Sequence, residues 1–253
     1  MDVSASFQFL VDELRREWHV IAPDWRGYGE TQWSGTDCYW FPDYFADLDR
    51  LLAHFQPDDP VNLVGHSMGG NVAAAYAGIL PGRASRLVCL EGFGMRRTVA
   101  EDAPGRYARW LREMKQGTRF RDYDSFEDLA RKLRDNNARL TPERALFLAR
   151  HWGAQGPSGG VALLGDPAHK LVNPVLYRLD EMQACWRNVT APTLWIQGGD
   201  SEFQTMAKMS DEDYAERRAC FRDITERVVE DAGHMMHHDQ PGRLAQLLED
   251  FIP

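Results

Sequence analysis

The sequence predicts an α/β protein whose mostly parallel sheet has flanking helices and carries an inserted all-helical segment. Short apolar runs alternate with amphipathic helical patterns at both ends of the 253-residue chain. Parallel strands need crossover connections, so this alternation indicates a parallel sheet. It stops between about residues 94 and 187, where only helical patterns are found. With 43% hydrophobic residues, the chain can bury one substantial core.

The first half supplies the clearest alternation. Phe7, Leu10, Leu14 and Trp18 share one helical face, and residues 19–24 form a short apolar run typical of a buried strand. A second helical face ends at Phe55. The pattern then predicts a strand over residues 61–65, a helix over 71–80 and a strand over 86–90.

The middle of the chain predicts a separate helical cap over residues 94–188, inserted into a core formed by residues 1–93 and 189–253. Helix starts are expected at Thr141-Pro142 and Asn173-Pro174, and residues 153–160 have the composition of a loop. Residues 94–187 carry 17 Lys and Arg against 12 Asp and Glu, a basic excess that favours docking on the acidic remainder. Alternation resumes with strands over 192–197 and 226–230, a helix within 206–221, and a closing helix through Leu244 and Phe251.

Composition excludes several classes of protein. A net charge of −9 argues against a nucleic-acid partner. The longest apolar stretch, around residues 72–80, is about half of the ~20 residues that a membrane helix needs. The first residues lack the pattern of a signal peptide, and the four cysteines lack metal-ligand spacing. We expect a cytoplasmic protein with reduced thiols and no membrane partner.

The motif Gly65-His-Ser67-Met-Gly69 carries the strongest chemical signal. It matches G-x-S-x-G and lies between a predicted strand and a predicted helix, where a nucleophile elbow is found. The sharp turn holds the serine hydroxyl above the sheet edge, and glycines at 65 and 69 avoid a collision with the neighbouring backbone. We therefore predict Ser67 as a nucleophile.

A serine nucleophile needs a base and an acid that orients the base, and here both are expected late in the chain. His234 follows the last predicted strand within Ala232-Gly-His, so we predict it as the base. Asp200 follows strand 192–197 and is the predicted acid, with Glu202 as the alternative. His237 and His238 lie beside the closing helix and are expected to face solvent or Asp239. A metal site formed by residues 234, 237 and 238 is the alternative, and no HExxH-type spacing supports it.

Together these residues resemble the α/β-hydrolase superfamily, and the chain resembles its cap-bearing serine hydrolases over nearly its whole length. The resemblance rests on Asp24-Trp-Arg-Gly-Tyr-Gly29, Gly65-His-Ser-Met-Gly-Gly70, Pro192-Thr-Leu-Trp-Ile and Ala232-Gly-His234. It implies a triad of Ser67, Asp200 and His234, and an oxyanion hole to which the Met68 backbone N–H contributes. Relatives with an aspartate nucleophile are disfavoured because position 67 is serine.

One landmark of the superfamily is not found in the sequence. Relatives have a strand that ends in a His-Gly motif ahead of the first helix, and its loop donates the second oxyanion N–H. We expect that the natural protein begins upstream of Met1; a shortened, weakly active or inactive derivative is the alternative.

The resemblance implies a serine hydrolase for a small or medium acyl compound, most simply a carboxylic ester, acting without a metal or other cofactor. C–C bond hydrolases, lactonases, thioesterases, acyltransferases and perhydrolases use the same triad, and a non-catalytic ligand-binding protein is the alternative of another class. We expect a monomer or homodimer that acts on a small molecule. The candidate pocket residues are His66, Phe93, Trp110, Trp152 and Trp186, with Phe120 as a further aromatic.

Overall fold

A computed structural model describes residues 2–156 and 159–253. Its strands are β1 (Val61–His66), β2 (Ala84–Leu90), β3 (Gly153–Gln155), β4 (Val161–Leu163), β5 (Thr193–Gly198) and β6 (Ile224–Val229). Its α-helices are α1 (Gln8–Val11), α2 (Phe41–Phe55), α3 (Met68–Ile79), α4 (Ala103–Gln116), α5 (Phe126–Asn136), α6 (Pro142–Trp152), α7 (Leu179–Arg187), α8 (Phe203–Met206), α9 (Asp211–Arg218), α10 (Met236–Asp239) and α11 (Pro241–Phe251).

The main sheet has the order β1-β2-β5-β6, and each neighbouring pair is parallel. This confirms the predicted fold class. Parallel strands end at the same edge of a sheet, so the residues that follow β1, β2 and β5 meet there. Leu87, Val88 and Leu90 of β2 and Ile196 of β5 are fully buried, as expected for central strands that are covered on both faces.

Two predictions in the first quarter of the chain are wrong. Residues 19–23 form no strand, and Val20 and Ile21 are 45% and 42% exposed. Within the described residues this run pairs with no strand, so its backbone lacks the partner that defines one. The predicted helix from Phe7 to Trp18 is reduced to a 3₁₀ turn and the four residues of α1. Leu14 and Trp18 stay partly exposed, and a helix of this length needs tertiary packing to persist.

The middle of the chain is not all-helical. β3 lies within the loop predicted over residues 153–160 and pairs with β4, which begins directly after it, in a small antiparallel sheet. Residues 157 and 158 of that loop lie outside the described residues. The start of α6 at Pro142 is confirmed, since the Thr141 hydroxyl accepts the Arg144 N–H. The helix predicted from Asn173 begins only at Leu179. The Asn173 side chain instead accepts the Val175 N–H in a local turn that competes with a helix.

Contacts divide the chain into two compact units. Unit 1 comprises Met1–Trp40, Ala103–Val175 and His237–Gly242, and its core includes Leu129, Leu133, Ala145 and Leu148. Unit 2 comprises Phe41–Asp102, Leu176–Met236 and Arg243–Pro253, and it contains the four-stranded sheet. Residues 103–175 of the predicted cap thus belong to unit 1, and a cap over residues 94–188 stays a prediction.

All four cysteines are free. No helix among the described residues has the length and apolar character needed to cross a membrane.

Candidate active site

Ser67 occupies a sharp turn between β1 and α3 in unit 2. Its φ of 50° and ψ of −113° lie where residues other than glycine are seldom found. Such a conformation costs on the order of 1–3 kcal/mol, so the surrounding structure must hold it in place. The Ser67 N–H donates to the Leu90 carbonyl, and the Ser67 carbonyl accepts the Asn71 N–H. The turn has the conformation expected of a nucleophile elbow.

Gly65 is required by close approach of the backbone. A Cβ at this position would lie 2.4 Å from the Gly69 carbonyl oxygen, which no side chain tolerates. The absence of a side chain lets α3 begin directly against the end of β1. Met68 is the first residue of α3, and its N–H therefore has no carbonyl partner within the helix.

His66 connects the turn at Ser67 to His234. Its Nε2 lies 2.7 Å from the His234 carbonyl oxygen, and the two rings are 4.6 Å apart. His234 follows β6 by five residues, and its side chain is 29% exposed. The residue before the candidate nucleophile therefore contacts the candidate base.

Glu91, which was not among the residues predicted from the sequence, is the carboxylate that contacts the imidazole of His234. Its Oε2 lies 2.5 Å from His234 Nδ1. Glu91 follows β2 directly, has a positive φ of 52° and is fully buried. Its Oε1 accepts the Gly198 N–H at 2.9 Å, and its Oε2 also accepts the Ser201 hydroxyl at 2.8 Å. These donors compensate the burial of the carboxylate.

The hydrogen bond predicted for Asp200 is therefore made by Glu91. Asp200 and Glu202 are both exposed on the segment that follows β5. The Asp200 backbone N–H donates to the Ala232 carbonyl, which fastens this segment to the turn before His234. The neighbouring Ser201 reaches Glu91. A sequence signal for Glu91 exists, because it is a carboxylate at the end of a predicted parallel strand and is followed by Gly92.

The candidate pocket residues separate into several environments. Phe93 and Trp186 are fully buried in an aromatic cluster with Trp195 and Phe221, so the structure places both in the core of unit 2 rather than on a pocket wall. Trp110, Trp152 and Phe120 are partly buried and belong to unit 1. A role for these three in the pocket stays a prediction, whereas His66 lies beside the candidate base.

Of the two surroundings predicted for His237 and His238, solvent or Asp239, burial excludes solvent. Both are in unit 1, where His237 is fully buried and His238 is 3% exposed. His237 stacks on Phe7 with ring centres 4.8 Å apart, and His238 packs edge-on against Phe9. Burial lowers the pKa of His238 to about 3, with the neighbouring His237 as a second cause.

A surface cavity of about 560 Å³ in unit 2 contains none of these site residues. Its lining is mostly charged: Arg97, Asp180, Gln183, Arg187, Asp213, Glu216, Ala219 and Cys220. Arg97 pairs there with Asp180 and Glu216, so the charges largely compensate one another.

A sequence profile of the α/β hydrolase fold matches residues 2–241. The chain belongs to the α/β hydrolase family. It is 25% identical over 259 residues to a serine hydrolase-like protein of Danio rerio, covering 99% of this chain and 78% of that protein. It is also 25% identical to the 2-hydroxymuconate semialdehyde hydrolase of Pseudomonas sp. (strain CF600), covering 98% of this chain and 81% of that enzyme.

The solved structure of a thioesterase domain from the curacin biosynthetic pathway superposes with a TM-score of 0.84 at 21% identity, covering 98% of this chain and 87% of that domain. This likeness supports the fold. The family and the two relatives support a hydrolase.

Proposed function

We propose that this protein is a serine hydrolase that cleaves a small or medium acyl compound, with a carboxylic ester as the substrate class, through Ser67, His234 and Glu91. The proposal rests above all on the contact between His234 Nδ1 and the buried Glu91 carboxylate. It departs from the sequence-based prediction only in the identity of the acid. A small-molecule substrate and a cytoplasmic location remain part of the proposal.

Each residue has a role that follows from its surroundings. The Ser67 hydroxyl attacks the acyl carbon while His234 Nε2 accepts its proton. Glu91 holds Nδ1–H, which fixes the tautomer that leaves Nε2 free to accept and stabilises the imidazolium that forms. The His234 proton then passes to the departing alcohol. Water, deprotonated by His234, then attacks the acyl-enzyme. The carboxylic acid product is released as the Ser67 oxygen regains a proton from His234.

The negative charge that develops on the acyl oxygen needs fixed donors. The N–H of Met68, at the first position of α3, supports this role because it has no partner within the helix and lies at the positive end of the helix dipole. Loss of one oxyanion donor typically costs ~10²–10³-fold in rate.

The test is active-site labelling with a fluorophosphonate probe, which needs an activated serine rather than the natural substrate. We expect the wild-type protein to be labelled and Ser67→Ala to remain unlabelled. Ser85→Ala is a matched control because Ser85 is an exposed serine at the start of β2, at the opposite end of the strand from Leu90 and Glu91. A folded wild-type protein that does not react would favour the non-catalytic binding protein.

Hydrolysis of a C–C bond is a second candidate, favoured by the similarity to the 2-hydroxymuconate semialdehyde hydrolase. Both candidates use the same residues, so labelling does not separate them. Turnover of chromogenic esters of increasing acyl length, measured beside a vinylogous 1,5-diketone, would do so. Preference for the esters supports the leading proposal, and cleavage of the diketone alone would replace it.

A further inference from the structure

A second cluster of reactive side chains lies in unit 1, among residues that the proposed hydrolysis does not use. Asp2, His237 and His238 each offer one ligand atom, and these atoms lie within 4.8 Å of one another. Asp2 Oδ2 is 3.6 Å from His237 Nε2. That separation is close to the spacing of two ligands on one tetrahedral metal ion, given metal–ligand bonds of about 2.0–2.2 Å.

The cluster is buried, and one of its nitrogen atoms lacks a partner. His238 is 3% exposed, and its Nε2 has no hydrogen-bond partner among the described residues. A buried polar atom without a partner is costly, and most such atoms in proteins are satisfied by a neighbour, a water or an ion. This observation, independent of the spacing of the ligands, points to a missing binding partner.

Hydrogen bonds from neighbouring groups orient the Asp2 carboxylate. Asp2 Oδ1 accepts the Val3 N–H at 2.9 Å and the Trp152 indole N–H at 3.2 Å, so Oδ2 faces His237. The Ser6 hydroxyl lies 2.7 Å from Asp2 Oδ2 and 3.2 Å from His237 Nε2. Such support of a ligand by outer hydrogen bonds is typical of metal sites.

We propose that Asp2, His237 and His238 bind a divalent transition-metal ion, with Zn²⁺ as the ion of best fit and the Ser6 hydroxyl beside the remaining position. Two imidazoles and one carboxylate suit Zn²⁺ and its neighbours, whereas Mg²⁺ and Ca²⁺ prefer oxygen ligands alone. The ion would join the N-terminal residues to α10. The alternative is that Asp2, Ser6 and His237 form only a hydrogen-bond network.

The experiment is equilibrium dialysis of the tag-free, full chain against Zn²⁺, followed by titration calorimetry. We expect one equivalent to bind, and Asp2→Asn and His238→Gln each to weaken binding by at least about tenfold, by analogy with the loss of supporting groups around metals. His54→Gln is the matched control, since His54 is an exposed histidine on α2. We expect this variant to bind Zn²⁺ as tightly as the wild-type protein does. Binding that is absent, or equal in all four proteins, would overturn the proposal.

Folding and ligand type are checked separately. Asp2→Asn keeps the size of the side chain, and circular dichroism of the metal-free variants reports their fold. With Co²⁺ in place of Zn²⁺, the wild-type protein should show the visible absorption of a nitrogen- and oxygen-ligated, low-coordinate ion. A thiolate-to-cobalt charge-transfer band would assign the metal to a cysteine and refute this site.

Discussion

The segments after β2 and β5 both carry carboxylates at the same edge of the sheet, but in opposite environments. Glu91, directly after β2, is fully buried and meets three donors, which come from Gly198, Ser201 and His234. Asp200 and Glu202, after β5, are exposed. The segment after β5 supplies the Ser201 hydroxyl as a donor to Glu91, and the carboxylate that contacts the imidazole comes from the segment after β2. A place at a strand end is therefore insufficient to identify the acid, because burial and the surrounding donors decide which carboxylate the histidine contacts.

Replacing Glu91 should have the largest effect in this comparison. Glu91→Gln keeps the shape but removes the charge that stabilises the imidazolium and allows the wrong tautomer, so we expect kcat/KM for a chromogenic ester to fall by about 10⁴-fold. Steady-state kinetics against the wild-type enzyme measure the loss. Near-wild-type kinetics in a folded Glu91→Gln protein would show that a residue other than Glu91 is the acid that orients His234.

Adding a methyl group at Gly198, the last residue of β5, should have the next largest effect. A Cβ on Gly198 would lie 2.4 Å from the Gly233 carbonyl and 2.5 Å from that of Ala232. We expect Gly198→Ala to displace the turn before His234 and the imidazole with it, and a displacement of about 1 Å can cost ~10²-fold in rate. Gly82→Ala, where a Cβ meets nothing within 4 Å, is the matched control. Equal activity of the two variants would show that the turn adapts without cost.

Removing one donor to Glu91 should have a modest effect. Ser201→Ala deletes the hydroxyl 2.8 Å from Oε2 and leaves the Gly198 N–H in place. A net hydrogen bond of about 0.5–1.5 kcal/mol corresponds to roughly a 2- to 12-fold lower kcat/KM. Ester kinetics measure this loss. A reduction as large as that of Glu91→Gln would mean that Ser201 does more than support the carboxylate.

The exposed carboxylates should matter least. Asp200→Asn and Glu202→Gln leave the contact between Glu91 and His234 intact, so we expect kcat/KM to stay within about twofold of wild type, as for surface substitutions in general. The same ester assay applies. A loss near 10⁴-fold in either variant would reverse the assignment of the acid.

The sequence was most informative for features that are determined by residues close together in the chain. The apolar run before Ser67 predicted the strand, the Ala-rich segment after it predicted the helix, and the motif between them predicted the sharp turn. The Ala232-Gly-His motif predicted a turn after the last strand. β1, β2, β5, β6 and the parallel sheet were predicted because their apolar runs alternate with helices. These features depend on neighbours in the chain.

The features that the sequence did not predict correctly depend on contacts between residues far apart in the chain. Glu91 and His234 are 143 positions apart, and no local pattern states that the end of β2, rather than of β5, supplies the acid. The run at Val20 has the composition of a strand, but a strand forms only against a partner. Three-residue strands such as β3 are too short for a periodic pattern to show.

The most direct test of the account is the NMR signal of the His234 Nδ1 proton in ¹⁵N-histidine-labelled protein. A short hydrogen bond to a carboxylate moves such a proton far downfield. We predict that this signal is lost or shifted upfield in Glu91→Gln and unchanged in Asp200→Asn. A signal that persists in Glu91→Gln and disappears in Asp200→Asn would contradict the account.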